Sequence, residues 1–200
     1  IDRPMPKGPF PTRGPGSILT TAAVVDGWDH AFRHAQAKMG GRVQWHDLLA
    51  PAITLAESGF SVSASQAFWG DFRAHESDNW SGFAPVFKDQ GVALRVGHHL
   101  RQADLGRSLR RIAERGAKDF YRGQLAQQIV DGLRAAGVLI NADDLVRTRT
   151  REVQPLSLPY HGMTLLAPPP PTQGVTTLQI MGVLSRFDLS GLQPGSADHI

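Results

Sequence analysis

The run Pro168-Pro169-Pro170-Pro171 limits this chain more than any other feature. Four successive residues without a backbone N–H can enter neither a helix interior nor a hydrogen-bonded ladder, and each holds φ near −65°. The run is a stiff extended connector, so the segments on its two sides must be separate elements. Before it, Met163 to Ala167 reads as a strand. After it, Thr176 to Phe187 reads as a helix with Leu178, Met181, Val183 and Leu184 as its apolar positions.

Upstream the period is helical. Trp28 to Met39 places Trp28, Ala31, Phe32, Ala35 and Met39 on one face and ends at Gly40-Gly41. His46 to Ser58 turns Leu48, Leu49, Ala52, Ile53 and Ala56 inward before Gly59, with Pro51 either tolerated inside or marking a boundary near Leu49. Asp104 is placed to N-cap a helix carrying Leu105, Leu109, Ile112 and Ala113, and Gly116 separates it from a short turn at Ala117 to Tyr121. Leu125 to Ala136 follows, with Ile129 and Leu133 inward and Gly137 at C′, and Asn141 with Asp144 has capping-box spacing. Phe68, Trp69, Phe72, Trp80, Phe83 and Phe87 read as a core layer, with a partly exposed lid as the alternative. From Val146, Arg147, Arg149 and Arg151 alternate with Thr148 and Thr150, the pattern of a strand with one charged face.

The expected organisation is an α/β (α+β) chain: an irregular proline- and glycine-rich lead-in over 1–16, a mainly helical part over 17–145, and strands, proline connector and helix over 146–200. Ser196 after Pro194-Gly195 reads as the N-cap of a helix beginning at the very end, so the chain is expected to be a fragment or processing product.

Several function classes drop out on composition. With 41% hydrophobic and 20% charged residues the chain is neither disordered nor fibrous. Cys 0 removes disulfides, thiolate chemistry and cysteine-held zinc. The net charge of +3 calls for no nucleic acid, and no apolar run is long enough for a membrane span.

The residues themselves supply no complete active site. His30 and His34 share a helical face but lack a third metal ligand, and the side chains of His98-His99 diverge. Gly14-Pro15-Gly16-Ser17 lacks the lysine and spacing of a phosphate loop. Arg107, Arg110, Arg111 and Arg115 read as a solvated helical face, while Arg147, Arg149 and Arg151 are flanked by Asp144 and Glu152. Asp71, Glu76 and Asp78 cluster without the geometry of a catalytic carboxylate pair. No catalytic residue, cofactor site or metal site is assigned on these grounds, and the substrate-binding residues stay undefined.

Three ordered stretches carry a resemblance. They are Val43-Gln44-Trp45-His46-Asp47-Leu48-Leu49 with Pro51 to Phe60; Leu109 to Arg115 with Gly116-Ala117-Lys118-Asp119-Phe120-Tyr121-Arg122-Gly123; and Asp144-Leu145, Pro155-Leu156 and Tyr160-His161-Gly162 leading into Pro169-Pro170-Pro171-Thr172-Gln173-Gly174. Together they resemble the large subunit of the gamma-glutamyltranspeptidase family of N-terminal-nucleophile hydrolases, which includes cephalosporin acylases.

The resemblance implies part of an αββα sandwich and a precursor that cleaves itself into two subunits. The nucleophile would be the N-terminal Thr of the small subunit, whose own amine serves as base. The chain's partner would be that small subunit, and the substrate a small peptide or amino-acid amide. Thr20-Thr21 and Thr176-Thr177 are internal and match no processing site, and Arg3 and Arg13 do not match the family's substrate-clamping arginine. The alternatives are a cephalosporin-acylase-like amide hydrolase or a catalytically silent relative that binds a peptide or small acid. No cofactor is implied. The family favours a periplasmic or secreted location, with the cytoplasm as the alternative because Ile1 is not an initiator residue.

Two local departures stand out. The family's Tyr-Gly-x-Leu-Pro-Trp approach is Met39-Gly40-Gly41-Arg42-Val43-Gln44-Trp45 here, and its serine pair and glycine pair after the prolines are Thr172, Gln173, Gly174 and Val175.

Overall fold

The computed structural model describes residues 8–18, 20–78, 80 and 82–197, in two compact units, Ile1–Thr150 and Arg151–Ile200. The first unit contains α1 (Val24–Lys38), α2 (Trp45–Ser58), α3 (Ala64–Phe72), α4 (Ala74–Ser77), α5 (Ala84–Phe87), α6 (Ala103–Arg115), α7 (Ala117–Arg122), α8 (Gln124–Ala135) and α9 (Ala142–Arg147). Its strands are short antiparallel pairs: β1 (Phe60–Ser61) with β4 (His99–Leu100), and β2 (Lys88–Asp89) with β3 (Val92–Ala93). The second unit is a hairpin of β5 (Leu156–Tyr160) and β6 (Met163–Ala167) followed by α10 (Gly174–Leu184).

Helix α2 buries Leu49, Ile53 and Ala56, a stripe at one helical spacing, against Leu109 and Ile112 of α6. Each fully buried leucine or isoleucine of this stripe contributes about 1.5–3 kcal/mol. The two helices approach closely at Gly106, where a Cβ would run into the Glu57 side chain. Glu57 instead crosses to Arg110, with Nε at 3.0 Å and Nη2 at 2.6 Å. Trp45 adds a tether, its Nε1 donating to Ile112 O at 3.0 Å while its ring meets Phe32 of α1 edge-on at 5.4 Å.

The last four carbonyls of a helix have no partner within it, and α2 finds one for each. Leu55 O accepts from Gly59 N at 2.9 Å, Ala56 O from Gln102 N at 2.9 Å, Glu57 O from Arg101 Nε at 2.8 Å, and Ser58 O lies 2.7 Å from His99 Nε2. Gly59 sits at φ +91°, with His99 and Leu100 O where a side chain would begin. No other residue fits there without strain. His99 is thus a capping group, which explains one half of the His98-His99 pair.

Several sequence expectations shift. Pro51 lies inside α2 without ending it. Leu48 is 51% exposed and Ala52 is exposed, so the inward face of α2 is narrower than its apolar stripe. On α1 the buried residue is Val25, while Trp28, Ala31 and Met39 face out, because the helix starts at Val24 and is seated by its first turn. Gln102 rather than Asp104 stands at the N-cap position of α6, without a side-chain cap bond, Asp104 lies in the first turn, and Leu105 is exposed.

The aromatic core layer is overturned for Phe68, Trp69 and Phe72. They are 59%, 50% and 59% exposed and pack on one another along α3. The small core beside them is filled by Val62, Leu94 and Leu100, with Phe60, Ala67 and Phe87 around it. The strand expected across Arg147, Arg149 and Arg151 is absent: Arg147 ends α9 and residues 148–155 join no ladder. Alternation alone does not make a strand, which also needs a neighbour to pair with. The capping box at Asn141 and Asp144 forms with both bonds, at 3.2 and 2.9 Å. Of the closing segment, Ser196 lies in a bend and Asp198 to Ile200 fall outside the described residues.

Candidate functional site

Asp119 follows the break at Gly116 and reaches over the start of α8. Its carboxylate accepts from both Nε and Nη2 of Arg111, the latter at 3.0 Å, and from the amide of Leu125 at 3.4 Å. Arg111 holds this carboxyl below the usual carboxylate range against the opposing effect of burial, and the amides of Leu125 and Gln124 add to it. A side chain at position 123 would collide with that carboxylate, so Gly123 is required.

Tyr121, 5% exposed, is the next constraint. Its hydroxyl donates to Ala22 O at 2.7 Å and accepts from Asp26 N at 2.8 Å. Burial and the Asp26 charge raise the phenol above its ordinary range. The Asp26 carboxylate in turn accepts from Thr150 N, 124 residues away. Burial pulls the Asp26 carboxyl upward, but its bonds with Thr150, with Arg33 and His30 nearby, outweigh that and leave it below the usual range. The chain Ala22–Tyr121–Asp26–Thr150 joins the start of α1, α7 and the end of the first unit.

In the second unit, β5 and β6 pair from Leu156↔Ala167 to Tyr160↔Met163 around a tight turn at His161 and Gly162, both at positive φ. Beyond Ala167 the prolines are tied by one side chain. Thr172 Oγ1 lies 2.9 Å from Pro168 O and 3.1 Å from Pro169 O, sharing its hydrogen between them, and accepts from Gly174 N at 3.3 Å. A Cβ on Gly174 would meet Pro168 O and Ala167, so glycine is needed where α10 begins. A groove of about 340 Å³ runs beside the turn, with Val153, Pro155, Leu166, Pro168 and Pro169 as its apolar wall and Arg151 as its cation. Its shape is a rigid apolar rim with one positive charge, suited to hold an acyl group or another segment of polypeptide, and it contains no nucleophile–base pair.

The gamma-glutamyltranspeptidase family model matches residues 6–200. The chain belongs to the gamma-glutamyltranspeptidase family. It is 36% identical over 190 residues to the oxamate amidohydrolase proenzyme of Klebsiella pneumoniae, covering 95% of this chain and 36% of that protein. It is 34% identical over 193 residues to the glutathione hydrolase-like YwrD proenzyme of Bacillus subtilis, covering 96% and 36%. The fold matches the crystal structure of Helicobacter pylori gamma-glutamyltranspeptidase with a TM-score of 0.79 at 29% identity, over 88% of this chain and 49% of that one. It also matches the cephalosporin acylase from Bacillus halodurans, with a TM-score of 0.76 at 29% identity, over 87% and 32%. The chain spans about 36% of the length of the curated relatives named here.

Within this family member the residues singled out by sequence separate cleanly. Arg110 and Arg111 pair with Glu57 of α2 and Asp119 of α7 and so serve the helix packing, while Arg107 pairs with Asp104 within α6. Glu76 is taken by Arg13 and Arg73, and Asp78 by Lys88, which leaves no carboxylate pair with Asp71. Among the described residues no three His, Cys, Asp or Glu side chains converge as metal ligands, His30 and His34 included. Thr176 and Thr177 bond to Gln173 at the start of α10, and Arg3 lies outside the described residues.

Sequence reading missed the bonding roles of Asp26, Tyr121 and Thr150. Tyr121 sat inside a quoted motif, and an acid in the first turn of a helix was the available signal for Asp26. Nothing local pointed to Thr150.

Proposed function

We propose that this chain is the large-subunit portion of an autoprocessed enzyme that cleaves gamma-glutamyl or related acyl amide bonds. The threonine nucleophile belongs to a small subunit cut from the same precursor. Its hydroxyl attacks the amide carbonyl while its own amine takes the proton, giving an ester-linked acyl-enzyme and releasing the amine product. Water then completes hydrolysis, or a second amine completes transfer. This chain supplies scaffold, subunit interface and pocket wall within an αββα sandwich, and donors elsewhere hold the developing oxyanion.

The observation that carries the reading is the family match over residues 6–200 in a chain that contains no paired nucleophile and base among its described residues. The proenzyme names of both curated relatives support self-cleavage, and their short coverage supports a nucleophile outside these residues. The hairpin unit supports the subunit role. Its helix α10 is largely apolar, Thr176, Thr177 and Gln179 aside, and buries none of its residues, with Ile180 54% and Val183 60% exposed. Exposed apolar residues gathered on one helix call for a covering surface. Periplasmic or secreted placement is part of the proposal.

A second reading, an amide hydrolase of other acyl groups, draws on the oxamate amidohydrolase and acylase relatives. It also draws on Thr172-Gln173-Gly174-Val175 at the turn. Both readings predict that the full-length protein resolves into two polypeptides, the second starting with Thr, and that substituting this Thr by Ala leaves one inactive precursor. Turnover of a gamma-glutamyl anilide against simple acyl amides separates them. An uncleaved protein that is fully active would overturn both.

A further inference from the structure

Between the start of α1, α7 and the end of α9 lies a cavity of about 390 Å³ whose lining is out of charge balance. Four cationic side chains, Arg33, Lys118, Arg122 and Arg149, face it against the carboxylates of Asp26 and Asp29. Those two acids are engaged: Asp29 with Arg33, and Asp26 with Thr150. Lys118, Arg122 and Arg149 have no acidic partner among the described residues.

Two of these cations are also drawn together. Arg122 Nη2 donates to Val146 O at 3.2 Å and Arg149 Nη1 donates to the same oxygen at 3.1 Å. Both side chains are exposed, so water and salt screen part of the repulsion between the two guanidinium groups, and the neutral carbonyl they share does not remove the remainder. Each guanidinium has five N–H donors in a planar fork, so most remain free for a ligand. The hydroxyl of Tyr121, committed to Ala22 and Asp26, closes the floor without adding a free donor.

We propose that this cavity binds a small tetrahedral dianion of the phosphate or sulfate type. Arg122 and Arg149 form charge-assisted hydrogen bonds to its oxygens, and Lys118 completes the neutralisation. A dianion matches the excess of two positive charges, and it relieves the repulsion across Val146. The ligand is independent of the amide-cleavage reading and would bind whatever the substrate of that reaction.

Calorimetric titration of the full-length protein with inorganic phosphate tests it, at a pH where phosphate is mainly dianionic and with chloride adjusted to constant ionic strength. One saturable site is expected. Arg122→Gln/Arg149→Gln should weaken it by about tenfold or more. Lys118→Gln, at an exposed side chain with no hydrogen bond to lose, should weaken it by about threefold. Arg107→Gln/Arg134→Gln removes equal charge from residues paired with Asp104 and Asp131 and should leave binding unchanged. The absence of saturable binding to the unsubstituted protein overturns the proposal. So does binding that Lys118→Gln and Arg122→Gln/Arg149→Gln leave intact, or that the control pair weakens equally.

Discussion

Replacing Tyr121 by Phe removes one oxygen and keeps the ring that packs among Val25, Leu125 and Leu145 in the main core. The loss falls on two backbone groups: Ala22 O, which accepts at 2.7 Å, and Asp26 N, which donates at 2.8 Å. A buried polar group left unpaired costs about 1–3 kcal/mol. Ala22 and Asp26 are half-buried, so water restores part of each bond and the lower end applies. The expected destabilisation is about 2 kcal/mol in all. In urea unfolding of the full-length protein, with m near 2 kcal/mol/M, the midpoint should fall by about 1 M at unchanged m. Hydrogen exchange should show Asp26 N–H losing protection first. A midpoint shift below about 0.2 M, with the Asp26 amide still protected, would refute the claim that this hydroxyl ties α1 to α7.

Further outcomes follow from the same contacts. Gly123→Ala drives a methyl into the Asp119 carboxylate and should cost about 3 kcal/mol, while an Asp119→Ala background should relieve only part of that cost, because the Asp119 Cα also lies 2.8 Å from the added methyl, read as a double-variant cycle in denaturant. Asp26 and Asp119 both titrate lower folded than unfolded. Their contribution is therefore complete above about pH 4 and lost as pH falls through their folded values, so Asp26→Asn/Asp119→Asn should flatten the loss of stability below about pH 4 in an acid titration followed by circular dichroism. Thr172→Ser should retain the proline turn, whereas Thr172→Val removes its hydroxyl bonds and should lower kcat/KM of the processed enzyme about tenfold.

How much of this was legible depends on the range of the forces involved. Helices α1, α2, α6, α7 and α8 were readable because i, i+3 and i+4 spacing and terminal glycines are local signals, as was the Asn141–Asp144 box, whereas the aromatic stretch that holds α3 to α5 announced no helix; in the second unit the strand Met163–Ala167 appears as expected. Which face turns inward was less readable, since Leu48 and Trp28 are as apolar as the residues that are buried. Facing is decided by partners such as Gly106, whose closeness to Glu57 no local pattern announces. The arginine alternation after Val146 failed as a strand signal because a strand also needs a neighbour to pair with. The polar chain through Asp26 and Tyr121 joins residues 95 positions apart, beyond any motif window. Thr172 was legible as a departure in composition, but its grip on Pro168 and Pro169 emerged only from the folded turn.

The proposed division of chemistry between this chain and a small subunit is tested most directly by trapping the acyl-enzyme. The purified full-length protein is mixed with a mass-tagged acyl amide, quenched in acid during turnover, digested and mapped by mass spectrometry. The tag is expected on the N-terminal Thr of the second polypeptide and on no peptide from Ile1 to Ile200. A tag on a serine or threonine inside those residues would contradict the account.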